Sequence, residues 1–193
     1  MTDSTSLELP PLYESLTWLT PLSEERAAHL VAFLSDPAPA EVLDMGCGWG
    51  ELLLRVLTSA PQALDYAAAL RALRALVLPG GRLVYGEAIW SATPHPAATA
   101  PLAGRDDEYL TQDALREQIS AAGFEVLDDD QASVQEWDVF EAGYRDRFTR
   151  WLEAHDADHP AAEQVRRQYE EQRAAYEEGY RGVLGMAYFC LRG

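Results

Sequence analysis

The 193-residue chain carries 32 acidic against 15 basic residues, a net charge of −17, and every one of those basic residues is arginine. That length supplies one well-packed core rather than two, and the charge repels phosphate backbones and anionic lipid, which excludes nucleic acid and membrane surfaces as partners. No run approaches the ~20 apolar residues of a membrane span, and the opening MTDSTSLELPPLYESL lacks the basic and apolar regions of a signal peptide, so the expectation is a cytoplasmic protein.

In chain order, the first element is a helix over 23–35, SEERAAHLVAFLS. Ser23 is placed as N-cap, Glu24 and Glu25 sit where the helix dipole favours acids, and Ala27, Leu30, Val31 and Leu34 share one face. DPAPA then stops the helix. Residues 41–57, EVLDMGCGWGELLLRVL, follow. Val42, Leu43 and Met45 read as a strand, and Leu53, Val56 and Leu57 repeat at helical spacing. Between them Gly46, Gly48 and Gly50 make a bare, tight turn. A helical stripe at Leu70, Leu73 and Val77 ends at Pro79-Gly80-Gly81, and Arg82 to Trp90 reads as a strand.

Residues 91–104, SATPHPAATAPLAG, read as a Pro- and Ala-rich loop, a mobile lid or a linker. Thr111 caps the next helix, Gly123 is placed for its left-handed stop, and FEVLD is a strand. Ser133 and Glu136 form a capping box at the start of a long amphipathic helix. After the DADHP turn, a charged helix runs from about 161 to 180, and GVLGMAYFCLR closes as a strand. Alternating strands and helices predict an α/β fold with a largely parallel sheet. Cys47 and Cys190 are the only cysteines. They offer neither a disulfide framework nor a metal-ligand spacing, so both read as small packing residues and no metal is expected.

The spacing of the turn, G-x-G-x-G with Glu51 in the sixth position, fits a dinucleotide fingerprint poorly. With Asp44 two residues ahead, DMGCGWG resembles the first motif of class I S-adenosylmethionine-dependent methyltransferases. LVLPGGRLVYGE and LTQDALREQISAAGFEVLD resemble that family's later helix-turn-strand and helix-strand units, and GVLGMAYFCLR its terminal strand. The resemblance implies a Rossmann-like three-layer αβα domain spanning 1–193. Its parts are an N-terminal helical cap over 1–40, the core over 41–130, a helical insert over 131–181 and the terminal strand over 182–193. It also implies S-adenosylmethionine as cofactor and methyl transfer to a small-molecule acceptor. The cofactor would be held by Asp44, Gly46, Cys47, Gly48, Trp49 and Gly50. Trp18 and Tyr13 either cover it or plug the core.

The chain departs from the family in the middle. Only PQALD separates Ala60 from the next helix, and a βαβ unit needs ~30 residues, so two strand-helix units and a further strand are missing, with their ribose and adenine contacts. Asp65 either replaces the ribose-binding acid or merely caps a helix. The resemblance therefore implies weak cofactor binding and a reduced sheet of about four strands, or a homodimer whose second copy covers the exposed edge. The alternatives to an active enzyme are a catalytically inactive relative that binds or scaffolds, and a shortened form of a longer enzyme. No catalytic residue is assigned. Glu87 faces substrate or ends its strand in solvent, and His95 is a general base or a plain loop residue. His155 and His159 lie in what reads as a solvated turn. Trp137, Phe140, Tyr144, Phe148 and Trp151 recur at helical spacing as core, or as a wall of the acceptor pocket.

Overall fold

The computed structural model describes residues 9–10, 15–35, 66–102 and 109–193. The strand at 41, the glycine turn, the helix at about 50–60, Tyr13 and Asp65 lie outside the described residues. Two compact units divide the chain. One comprises Leu22–Ser91, Asp107–Ala132 and Gly185–Gly193; the other comprises Met1–Pro21, Ala92–Asp106 and Ser133–Leu184.

Among the described residues, the first unit is a four-stranded sheet between helices. Its strands are β1 (Arg82–Trp90), β2 (Leu110–Thr111), β3 (Glu125–Gln131) and β4 (Leu184–Arg192), in the order β2-β1-β4-β3. β2 is parallel to β1, and β3 is antiparallel to β4. Gly193 N donates to Gly81 O at 2.9 Å at one end of the β1–β4 pair. At the other end Gly185 lies against Ile89 and Ser91. These two contacts make β4 antiparallel to β1 as well. Being central, β4 is buried on both faces, which is why its sequence reads as a continuous apolar run rather than an alternation.

Alternation along the strands sorts the two helical layers. Leu83, Tyr85 and Ile89 of β1 and Ala187, Phe189 and Leu191 of β4 face one core with Val126 of β3. Onto this face pack α2 (Tyr66–Leu76), through Leu70 and Leu73, and α4 (Gln112–Ala121), through Leu115 and Ile119. The predicted stripe of Leu70, Leu73 and Val77 is thus the packed one. The opposite face receives α1 (Glu24–Ser35), whose N-terminus is capped by Ser23 Oγ accepting from Arg26 N at 3.2 Å. Arg26 Nη1 reaches Asp130 at 2.7 Å, its guanidinium lies over the Tyr188 ring, and Arg82 Nη1 donates to Phe33 O.

The local signals hold where the sequence placed them. Thr111 Oγ1 accepts from Ala114 N at 3.3 Å, and Gly123 ends the α4 turn at φ +94°, a backbone conformation that side-chain-bearing residues avoid. Arg74 ties the two helix ends together, donating from Nε to Gly123 O at 3.0 Å and from Nη1 to Val77 O at 2.8 Å.

The second unit is helical. α5 (Val134–Ala154) opens with the complete Ser133–Glu136 capping box, and its Phe148 and Trp151 pack on Ala162 and Val165 of α6 (Ala162–Ala174). The helix predicted to run on to 180 changes character at Ala175. Residues Ala175–Tyr180 wind as a π-helix that closes with Arg181 N on Tyr176 O at 2.9 Å. This wider turn carries both tyrosines onto α5 acids. Tyr180 OH donates to the buried Glu141 at 2.6 Å, and Tyr176 OH to Asp138 at 2.7 Å. Hydrogen bonds from Arg181 and then Tyr176 hold the Asp138 carboxyl down to about 2.

The stretch expected as a mobile lid or a linker is instead docked structure over its described part. α3 (Pro96–Thr99) and the 3₁₀ turn Ala100–Leu102 occupy it, and Ala98 is fully buried against Tyr176 and Tyr180. Proline at the first turn and small alanines permit this approach. The facing Gly179 does too, since a Cβ there would come within 2.7 Å of Ala97 O. Composition registered Pro and Ala as loop formers because the partner surface lies some 80 residues away in the chain.

Candidate functional site

The parallel strands β1 and β2 end side by side, with Ile89 opposite Leu110 and Trp90 opposite Thr111. The chain turns from β2 directly into α4, which leaves a notch at the carboxyl edge of the pair, the place where open α/β sheets hold ligands. A cleft of about 230 Å³ sits there, lined by Ile89, Trp90, Ser91, Thr111, Gln112, Asp113 and Gln131.

Its polar groups are held by the sheet. Ser91 Oγ donates to Gln131 Oε1 at 2.7 Å. Gly185 makes room for that bond, because a Cβ on it would fall 1.9 Å from the Ser91 oxygen. Gln112 Nε2 donates to Asp129 Oδ2 at 2.6 Å, and Arg116 pairs with the other oxygen of Asp129, whose side chain is only 5% exposed. Gln131 and the exposed Asp113 complete the polar part of the lining. Among the described residues, no histidine or cysteine lines it. Such a lining binds and orients a polar molecule by hydrogen bonds, a chemistry of positioning. Sequence reading found Thr111 only as a cap and missed Ser91, Gln112, Asp113 and Gln131. They come from three separate segments and share no spacing.

Glu87 lies two residues before Ile89 on β1, half-buried, accepting from Tyr85 OH at 2.7 Å and from Ala88 N at 3.1 Å. Burial pushes its carboxyl above the ordinary 4.5 despite those two bonds. The folded chain therefore holds the Glu87 proton more tightly than the unfolded chain, and stability is lost as pH rises from the unfolded value through the folded one. Glu87→Gln keeps an acceptor for Tyr85 and removes the charge. It is expected to raise the urea midpoint near pH 7 and to leave it unchanged at a pH below the ordinary carboxyl value. A lowered midpoint at pH 7 would contradict this reading.

The other sequence candidates are dispersed. Trp18 is 37% exposed, in the irregular segment ahead of α1. His95 is exposed at the start of α3, where its carbonyl, rather than its ring, accepts from Ala98 N at 2.9 Å. His155 stacks on Trp151 with ring centroids 4.0 Å apart, and its Nδ1 meets Trp151 O at 2.8 Å. His159 closes the turn by accepting from Ala161 N at 3.2 Å. These two rings finish α5 and start α6. Phe148 and Trp151 are core, and Trp137 packs against Tyr180. Asp44, Gly46, Cys47, Gly48, Trp49 and Gly50 lie outside the described residues.

No protein-family model and no curated protein matches the sequence. Solved structures do match. A SAM-dependent methyltransferase from Geobacter sulfurreducens, in complex with S-adenosyl-L-homocysteine, is 29% identical with a TM-score of 0.54, over 65% of this chain and 51% of its own. YjhP from E. coli is 28% identical with a TM-score of 0.53, over 66% and 52%. The chain thus spans about half the length of these two. A SAM-dependent methyltransferase from Thiobacillus denitrificans, also in complex with S-adenosyl-L-homocysteine, superimposes with a TM-score of 0.67 over 93% of this chain and 95% of its own. At 18% identity that likeness is one of fold, and it extends over nearly the whole of both chains. The chain thus shares the Rossmann-like α/β fold of these S-adenosylmethionine-dependent methyltransferases, with a reduced sheet and a helical insert before the last strand among the described residues.

Proposed function

We propose that the chain binds S-adenosylmethionine at the Asp44–Gly50 turn and transfers its methyl group to a polar small molecule seated in the cleft at the ends of β1 and β2. One observation carries this reading. The reduced fold matches, nearly end to end, a methyltransferase in complex with S-adenosyl-L-homocysteine. A short sheet therefore does not by itself argue against the cofactor.

The residues of the turn suit the group chemically. The Asp44 carboxylate would meet the ammonium of the methionine moiety, and Gly46, Gly48 and Gly50 let the backbone approach it without a side chain in the way. Cys47 and Trp49 would border it, with Trp18 as a cover. When bound, the cofactor supplies a methyl group on a sulfonium, activated for in-line attack by a lone pair. The chain's part is to orient the acceptor through Ser91, Gln131 and Asp113 and to exclude water; a base is needed only for an acceptor that carries a proton.

The rival is an inactive relative that keeps the fold as a binding or scaffold unit. It is favoured by the chain spanning about half of the two more identical structures. Calorimetry on protein of verified mass separates the two. Saturable binding of both S-adenosylmethionine and S-adenosylhomocysteine at one per chain is the expected result, and absence of binding to either sinks the proposal.

A further inference from the structure

On the sheet face that carries α1, three side chains from three elements converge. The bulge in β3 between Val126 and Asp128 skips Leu127, so that Asp128, and not Leu127, stands directly opposite Cys190 of β4. In a regular ladder without the bulge, the apolar Leu127 would stand opposite Cys190, and bulges characteristically re-aim a side chain in this way. His29 of α1 comes down onto the pair, its Nε2 3.0 Å from Asp128 Oδ2. The imidazole nitrogen, a carboxylate oxygen and the Cys190 sulfur all lie within 4.8 Å of one another.

We infer that His29, Asp128 and Cys190 form a binding site for a borderline-soft divalent cation of the zinc type. Nitrogen, sulfur and oxygen donors are the zinc set, and metal–ligand distances of about 2.0–2.3 Å require only a small contraction of this triangle. The site is half open. Cys190 is buried, while the His29 and Asp128 side chains are 61% and 58% exposed, which leaves a fourth position for water. The nearest cation on α1, Arg26, is engaged with Asp130 and the Tyr188 ring. A net charge of −17 draws divalent cations to the surface. Binding replaces the S–H bond of Cys190 with a metal–sulfur bond and releases that proton to solvent, while His29 coordinates as neutral imidazole through the Nε2 lone pair. Burial, with a smaller contribution from Asp128, pushes the thiol up to about 11. Chain spacing hides the trio, since positions 29, 128 and 190 obey no ligand motif.

The test uses the full-length chain stripped with chelator, then titrated with Co²⁺ for its spectrum and with Zn²⁺ against a chromophoric chelator. The expected result is one metal per chain, with a thiolate-to-cobalt charge-transfer band and the visible bands of low-symmetry, tetrahedral-type cobalt. Cys190→Ser removes the charge-transfer band, and Cys47→Ser leaves it. His29→Gln and Asp128→Asn change exposed groups. Each is expected to weaken Zn²⁺ binding by roughly 100-fold, at the upper end of what losing even an outer partner of a metal ligand costs. A band that survives Cys190→Ser, a band that vanishes with Cys47→Ser, or Zn²⁺ affinity indifferent to His29→Gln would each overturn the assignment.

Discussion

Gly48→Val abolishes binding of S-adenosylmethionine, with a loss of at least two decades in affinity, and leaves the circular dichroism spectrum largely as in the wild type. The expectation rests on the proposed cradle. In the proposed cradle the ligand would lie against the backbone itself, so a branched side chain would fill the space the methionine moiety needs. Each decade lost corresponds to about 1.4 kcal/mol, and displacing a charged ligand end from its hydrogen bonds costs about 1.5–3 kcal/mol for each bond. Gly46→Val should behave alike, and Asp44→Asn should weaken binding less than either, because it keeps the shape and loses only the charge on the ammonium. Calorimetry with both variants checks this. Binding equal to wild type in either glycine variant would remove the turn from the site, while a collapsed spectrum would make the glycines structural.

Phe189→Ala destabilises the chain by about 3–5 kcal/mol, the range for removing a large aromatic side chain from a core. The ring is fully buried at the centre of β4, in one cluster with Leu70, Ile89, Leu115, Ile119, Phe124 and Leu191. The strand is pinned on both sides by β1 and β3. The sheet therefore has little freedom to collapse into the void, and the cavity component of the loss is retained. In a domain of this size each kcal/mol lowers the melting temperature by about 2–4 °C. Urea denaturation of the variant beside Val139→Ala makes the comparison. Val139 is 68% exposed, so its truncation should fall within about 0.5 kcal/mol of wild type. A loss below about 1 kcal/mol for Phe189→Ala would mean that the two layers do not pack through this face.

Much of the fold was legible because its signals are local. Ser23, Thr111 and the Ser133–Glu136 box cap helices through bonds to residues three positions away. Gly123 stops a helix by its own backbone angle, and the stripe of Leu70, Leu73 and Val77 follows from the period of the helix alone. The errors arose where a distant partner decides the outcome. The Pro-Ala stretch at 96–102 is ordered because Ala98 meets Tyr176 and Tyr180. The π-turn at 175–180 serves Asp138 and Glu141, more than 30 residues upstream.

The sequence by itself pointed to the α/β class, to most of the described helices and strands though not to β2, α3 or the antiparallel seating of β4, and to the DMGCGWG stretch whose resemblance points to the cofactor. Each depends on a pattern that repeats or closes within a dozen residues. Tertiary structure alone decided which polar side chains share a cleft and which potential ligands share a point. Ser91 meets Gln131 across 40 residues, and Gln112 meets Asp129 across 17. His29 meets Asp128 across 99, beside a cysteine brought into register by a one-residue bulge. Strand pairing and helix docking set these meetings. Their free energy comes from burying the apolar faces of Leu70, Leu115 and Phe189, so the residues that create the polar sites are ones that no motif would name.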